Sequence, residues 1–261
     1  MAVSCVRKRD RGSASHRTPG EIEMQVAVVI PSYRVRERIV DVVGGIGPEV
    51  HRIYVIDDAC PEQSGKHVRE QVVDPRVSVL FNEENLGVGG AVMTGYRAAL
   101  AEGADIIVKI DGDGQMAASL IPDFIAPIQA AEADYTKGNR FFNPDDLMAM
   151  PLPRLAGNAA LSFLTKLSSG YWNIFDPTNG FTAIHADVLR QLPLGKIEQR
   201  YFFESDMLFR LNTVRAVVVD IPMRAVYGSE SSNLRIGRVL IEFTLLNARN
   251  TLKRLLYNYF L

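Results

Sequence analysis

Apolar runs and helical stripes alternate along this chain. Val26-Ala-Val-Val-Ile30, Arg52-Ile-Tyr-Val-Ile56, Val77-Ser-Val-Leu-Phe81 and residues 105–110 are short apolar runs, each reading as a buried strand. Residues 36–46, 62–72 and 87–101 lie between and after these runs and predict helices. Strands alternating with helices make βαβ units and a parallel sheet. Farther on, Ala133–Lys137 and Ala216–Ile221 predict strands, and 155–169 and 202–214 predict helices. Residues 141–153, with three prolines, predict a mobile loop.

The stretch Ile236–Leu261 has a different pattern. Arg238, Glu242, Arg249 and Lys253 fall on one narrow helical stripe, because 3.6 residues make a turn. Val239, Leu240, Ile241, Phe243, Leu245, Leu252, Leu255 and Leu256 occupy most of the remaining circumference, and Tyr257, Tyr259 and Phe260 follow. So much apolar surface needs a cover: a membrane interface, a partner subunit or the domain's own core. The basic bias and the terminal aromatics favour the membrane interface slightly, with docking on the domain close behind.

The 261 residues are 47% hydrophobic and 23% charged, an ordinary globular composition for one large α/β domain or two small ones. A net charge of −1 supplies no global pull toward nucleic acid. Cys5 and Cys60 are too few and too far apart for a disulfide framework or a zinc site, which fits a reducing cytosol. Residues 1–24 hold five Lys and Arg among Ser, Gly, Thr and Pro, and read as a disordered basic tail. No segment is long and apolar enough to span a bilayer.

Three predicted strands end on polar residues: Pro31-Ser-Tyr33, Asp57-Asp58 and Asp111-Gly-Asp113. In a parallel sheet these ends share one edge, where open α/β sheets bind ligands. Asp111 and Asp113 repel one another unless something positive lies between them. Carboxylates suit Mg²⁺ or Mn²⁺, which usually arrive with substrate phosphates. Asp-Gly-Asp-Gly is also good turn composition, so the motif alone leaves both readings open.

Taken together the motifs resemble the family 2 glycosyltransferases with the GT-A fold. The resemblance is to the branch that includes dolichyl-phosphate mannose synthase and bacterial polyprenyl-phosphate glycosyltransferases. It covers about residues 25–232 and rests on Val-Ile-Pro-Ser-Tyr at 29–33, Asp57-Asp58, Asn85-Leu-Gly87 with Gly95 and Ala98, and Asp111-Gly-Asp-Gly-Gln115. Lys137-Gly-Asn-Arg140, Asp176-Pro-Thr-Asn-Gly-Phe181 and Phe203-Glu-Ser-Asp206 complete the set, in the family's order.

The resemblance implies a Rossmann-like α/β fold with a mainly parallel sheet flanked by helices. It divides the chain into the tail 1–24, a catalytic domain 25–232 and a juxtamembrane or oligomerisation helix 233–261. Pro31, Tyr33, Asp57, Asp58, Asn85, Gly87 and Asp111 would bind the nucleotide-diphospho-sugar donor. Asp111, Asp113 and Gln115 would hold Mg²⁺ or Mn²⁺, and Arg140 and Arg154 would receive a lipid-phosphate acceptor through their fixed fork of donors. Asp113 is then catalytic through the cation. An anionic phosphate acceptor needs no general base, whereas a sugar hydroxyl does; Asp206, Glu204 and Asp176 are the candidates. The expected outcome is an inverting transfer at the cytoplasmic, inner membrane face, by a protein peripheral there through its C-terminal helix.

The chain departs from the family pattern in places. Ala59-Cys60-Pro61 follows the second acidic pair, and the late Gly-Glu-Ser-Lys motif appears only as Tyr227-Gly-Ser-Glu-Ser-Ser-Asn233, without a lysine. A basic contact to the diphosphate then has to come from elsewhere, with Arg235 as the suggestion. The branch often carries transmembrane helices after the catalytic domain, and here the sequence stops at Leu261: the protein is peripheral, or the sequence is truncated. Transfer to a saccharide hydroxyl and a non-catalytic nucleotide-binding scaffold are the competing readings.

Overall fold

The computed structural model describes residues 24–142, 152–224 and 236–259. The expected tail 1–24 (all but Met24), the segment 227–233 and Arg235 lie outside the described residues, as does the side chain of Arg154.

The apolar runs form strands as read: β1 (Val26–Ser32), β2 (Arg52–Asp57), β3 (Val77–Phe81) and β4 (Ile106–Lys109). Helices α1 (Arg36–Gly44), α2 (Ser64–Gln71) and α3 (Gly87–Ala101) follow the first three. Then come α4 (Ile121–Gln129), β5 (Tyr135–Asn139), α5 (Leu152–Ser169), β6 (Thr182–His185), α6 (Ala186–Gln191), α7 (Phe203–Thr213), β7 (Val218–Pro222) and α8 (Ile236–Tyr259). The sheet order is β3-β2-β1-β4-β6-β5-β7. It is parallel at β1–β2, β1–β4, β2–β3 and β5–β7, and antiparallel where β6 pairs with β4 and β5. The expected mainly parallel α/β sheet is therefore present, with β6 inserted against the grain.

Strand alternation divides the core in two. Val26, Val28 and Ile30 face one layer with Ile53, Val108 and Phe124, while Ala27, Val29 and Tyr54 face the other with Ile107, Tyr96 and Met207. Period-two alternation with apolar residues on both faces is what a sheet covered on both sides requires.

Helix α8 docks on α5 and α7. Its inner face is unexpectedly polar. Asn247 accepts from Ser168 Oγ at 2.5 Å, Asn250 donates to Asp206 at 2.8 Å, and Arg254 donates to the Leu167 carbonyl at 2.9 Å. Phe243 meets Phe202 edge to face at 5.2 Å. Ile241, Leu245, Leu252, Leu255 and Leu256 point outward and are exposed. The helix thus docks on its domain and still presents an apolar face. Among the described residues no helix is long and apolar enough to cross a membrane.

Candidate active site

The C-terminal ends of β1, β2 and β4 open onto one cleft of about 390 Å³. Strand β1 brings Pro31 and Tyr33 to its wall, and the segment after β4 brings Asp111, Gly112 and Asp113. Tyr33 is 42% exposed, with the Arg34 guanidinium 5.4 Å from its ring centre.

The two adjacent carboxylates after β2 have different tasks. Successive residues on an extended chain point to opposite sides. Asp57 turns away: it accepts from the backbone N–H groups of Cys60 and Gly65, both at 2.7 Å, and does not line the cleft. Asp57, expected among the donor ligands, here braces the turn into α2. Asp58 does line the cleft. It accepts from Asn82 Nδ2 at 2.7 Å, Leu86 N at 3.0 Å and Gly87 N at 2.8 Å. Asn85 donates its amide to the Asp58 carbonyl at 3.2 Å, and Gly87 has φ +83°, a conformation that suits glycine at the start of α3. Asp58, Asn85 and Gly87 are therefore one hydrogen-bonded unit on the cleft wall.

Asp111 and Asp113 are half-buried side by side in the same wall. Asp111 is held by the buried Lys109 ammonium at 2.7 Å, and Lys109 also reaches Glu204 at 3.3 Å. Burial alone would push the Lys109 pKa down; the two carboxylates overcome it and hold the ammonium above its ordinary value. Asp113 accepts from the Gln115 backbone N–H at 2.9 Å. Gln115, the expected third metal ligand, lies beside them through this backbone bond and is not among the residues lining the cleft. Two hard carboxylates on one wall fit Mg²⁺ or Mn²⁺. Among the described residues no three His, Cys, Asp or Glu side chains converge into a cage. An ion here would take further ligands from phosphate and water, the usual habit of Mg²⁺.

Arg200 and Tyr201, which the sequence reading missed, also line the cleft. Their loop is fixed where the Gln199 carbonyl accepts from Gly89 N at 2.7 Å, at the first turn of α3. Arg200 places a guanidinium on the cleft, where the resemblance suggested Arg235 for a basic contact. Its only sequence signal is closeness to Phe203-Glu-Ser-Asp206; a lone arginine in a loop has no periodicity to betray it.

The remaining candidates form a second group. Arg140 is gripped by Asp176, Nε to Oδ2 at 2.7 Å and Nη2 to Oδ1 at 2.9 Å, with its backbone N–H on the same carboxylate. Asp176 is fully buried. Arg154 lies in the first turn of α5. Glu204 is the partner of Lys109. Asp206, expected as a catalytic base, is fully buried; it accepts from Arg210 Nε, Glu198 N and Asn250 Nδ2 and ties α7 to α8. Tyr171 donates to the Ala216 carbonyl at 2.6 Å, whereas Trp172 is 57% exposed, edge-on to Phe163.

Known proteins resemble this chain in sequence and in fold. The chain is 30% identical over 232 residues to a UDP-N-acetylglucosamine–dolichyl-phosphate N-acetylglucosaminyltransferase of Methanococcus voltae, covering 84% of this chain and 92% of that one. It is 29% identical to an undecaprenyl-phosphate mannosyltransferase of Micrococcus luteus, covering 85% and 93%. The fold matches glucosyl-3-phosphoglycerate synthase of Mycobacterium tuberculosis, solved with Mn²⁺, UDP and glucosyl-3-phosphoglycerate, at TM-score 0.64 and 17% identity over 92% of this chain and 86% of that one. The GT-A architecture is thus present. The family model described as glycosyl transferase family 2 matches residues 27–192, from β1 to the loop after α6. The chain belongs to glycosyl transferase family 2 and is a glycosyltransferase.

Proposed function

We propose that the protein transfers a sugar, with inversion, from a UDP- or GDP-sugar to a polyprenyl or dolichyl phosphate. The observation that carries this reading is the meeting of Asp111, Asp113, Asp58, Tyr33 and Arg200 around one cleft at the strand ends. Tyr33 and Pro31 offer a face for the nucleobase, and Asp58 with Asn85 offers polar groups for the base or ribose. Asp111 and Asp113 would hold Mg²⁺ or Mn²⁺, which when bound neutralises charge developing on the leaving diphosphate. Arg200 adds a second positive group for the same charge.

The acceptor class is supported by the state of the three base candidates. Asp176 is committed to Arg140, Glu204 to Lys109, and Asp206 to Arg210 and Asn250. A hydroxyl acceptor would need one of them to collect a proton, whereas a phosphate monoester arrives ionised and needs positioning alone. Arg140, with Arg154, would orient that phosphate. The names of the two relatives, each acting on a polyprenyl-type phosphate, point the same way.

This reading makes residues 25–232 the catalytic unit, working at the cytoplasmic membrane face with the outer face of α8 on the bilayer. Radiolabelled sugar transfer tests it. Label should enter undecaprenyl or dolichyl phosphate without any saccharide primer, and only with Mg²⁺ or Mn²⁺ present. Labelling of a glycan primer, with every polyprenyl phosphate inert, would overturn it in favour of a hydroxyl acceptor.

A further inference from the structure

Four polar residues stand in register across the second half of the sheet. Lys109 of β4 pairs with Thr182 of β6, Thr182 with Lys137 of β5, and Lys137 with Asp220 of β7. Registered neighbours project to the same face. Lys109, Thr182 and Lys137 are buried. Only Lys109 has a task so far, holding Asp111.

The segment Asp176–Phe181 crosses over this row. Lys137 Nζ donates to the Asn179 carbonyl. The Asn179 side chain donates to Asp176 Oδ2 at 3.3 Å and accepts from Phe181 N at 2.9 Å. Asp220 accepts from Phe175 N and from Asn139 Nδ2, both at 3.0 Å, the residues just before Asp176 and Arg140. At the other end the segment touches the donor wall. A Cβ on Gly180 would overlap Asp111 Oδ2 and Lys109 Nζ, so any larger residue there would have to push those two side-chain ends aside. One short segment therefore leans on Asp111 at Gly180 and holds Arg140 at Asp176.

We propose that Lys137 is a positioning residue which, through the Asn179 carbonyl, fixes the spacing between the donor carboxylate Asp111 and the acceptor arginine Arg140. The proposal rests on the donor and acceptor roles given above to those two residues. Transfer between two bound substrates depends steeply on their alignment. An apolar residue at 137 would fill the core, but it would leave the Asn179 carbonyl without its donor. Burial pushes the Lys137 pKa down, and Glu204, Asp176 and Asp220 offset only part of that, so it rests at about 8. A group buried at that cost has a bonding task rather than a solvation one.

The test uses the full chain with Lys137→Met and Gly180→Ala. The readouts are kcat and KM for polyprenyl phosphate, the Kd for UDP with Mn²⁺ by calorimetry, and thermal unfolding. Lys137→Met should lower kcat/KM for the acceptor at least about tenfold while the UDP–Mn²⁺ Kd stays within about twofold. Lys137→Gln, which keeps an N–H for the carbonyl, should recover part of the loss. Gly180→Ala should do the reverse, raising the UDP–Mn²⁺ Kd by about tenfold through Asp111. Unchanged acceptor kinetics in Lys137→Met, or equal losses for donor and acceptor, would overturn the proposal. Should Lys137→Met not fold, Lys137→Gln decides alone: an acceptor-specific loss supports the role, and no loss or a matched loss overturns it. Failure of the unaltered protein to label any polyprenyl phosphate would instead refute the acceptor class, and the donor–acceptor split would then be read on the glycan primer.

Discussion

Asp176, shut off from solvent, grips the Arg140 guanidinium with both of its oxygens. A half-exposed arginine held in this way presents a fixed fork to whatever approaches. Arg140→Ala should therefore lower transfer to polyprenyl phosphate at least about a hundredfold, with UDP binding within about twofold. It also strands a buried carboxylate, so stability should fall by about 2–3 kcal/mol in urea titration. Adding Asp176→Asn should restore part of the stability and none of the activity. Equal damage to donor and acceptor binding would move Arg140 into the donor site.

Asp113 differs because its role is in the cleft and not in the core. Asp113→Ala loses the hydrogen bond from Gln115 N, worth about 1 kcal/mol, and little packing. The expected result is a folded protein with Tm within about 5 °C of the parent and transfer reduced at least about a hundredfold. A variant that unfolds would make Asp113 a structural turn residue, the plain reading that Asp-Gly-Asp-Gly always allowed.

The contrast between Asp113 and Asp57 marks what the sequence could and could not convey. Apolar runs identified β1 to β4, because continuous burial leaves a continuous signal. Strand β6 escaped, since Thr182-Ala-Ile-His185 is four residues with no alternation, and its antiparallel place is set by partners on both sides. Helix α4 escaped because Pro122 and Pro127 interrupt its pattern. Adjacent carboxylates looked equivalent at 57 and 58 until the sheet decided which one faced the cleft. Lys109 and Lys137 read as ordinary strand residues, because a buried lysine and a solvated one are the same letter. The site was legible as a set of motifs; its ion-pairing, which settles who is available for chemistry, was not.

Asp220 gives a pH signature. Burial raises its pKa from 3.8 to about 6. A carboxyl raised on folding contributes stability that is fully present below pH 3.8 and is lost as pH rises through about 6. Stability should thus gain from this group on acidification between about pH 6 and pH 4. The site is partly solvated, so the gain is about 1–2 kcal/mol and not the full linkage value. Asp220→Asn keeps an oxygen to accept from Phe175 N while removing the titration. Denaturant titrations at pH 4, 5, 6 and 7 should show that the difference between parent and Asp220→Asn changes across this window. A constant difference would mean that Asp220 is solvated and ordinary.

The inverted amphipathicity of α8 leads to the last prediction. Its inner face uses Asn247, Asn250 and Arg254 to bond the domain, while Ile241, Leu245 and Leu252 are each 64–66% exposed. Apolar side chains on the solvent side add nothing to folding, yet each leucine can gain ~2 kcal/mol on leaving water. Leu245→Glu with Leu252→Glu should therefore leave the unfolding temperature and UDP–Mn²⁺ binding unchanged. Flotation with vesicles containing anionic lipid should fall at least about tenfold. Were the parent to ignore vesicles but sediment as a dimer, and the variant as a monomer, the outer face of α8 would be covered by a second copy of the chain instead of the bilayer.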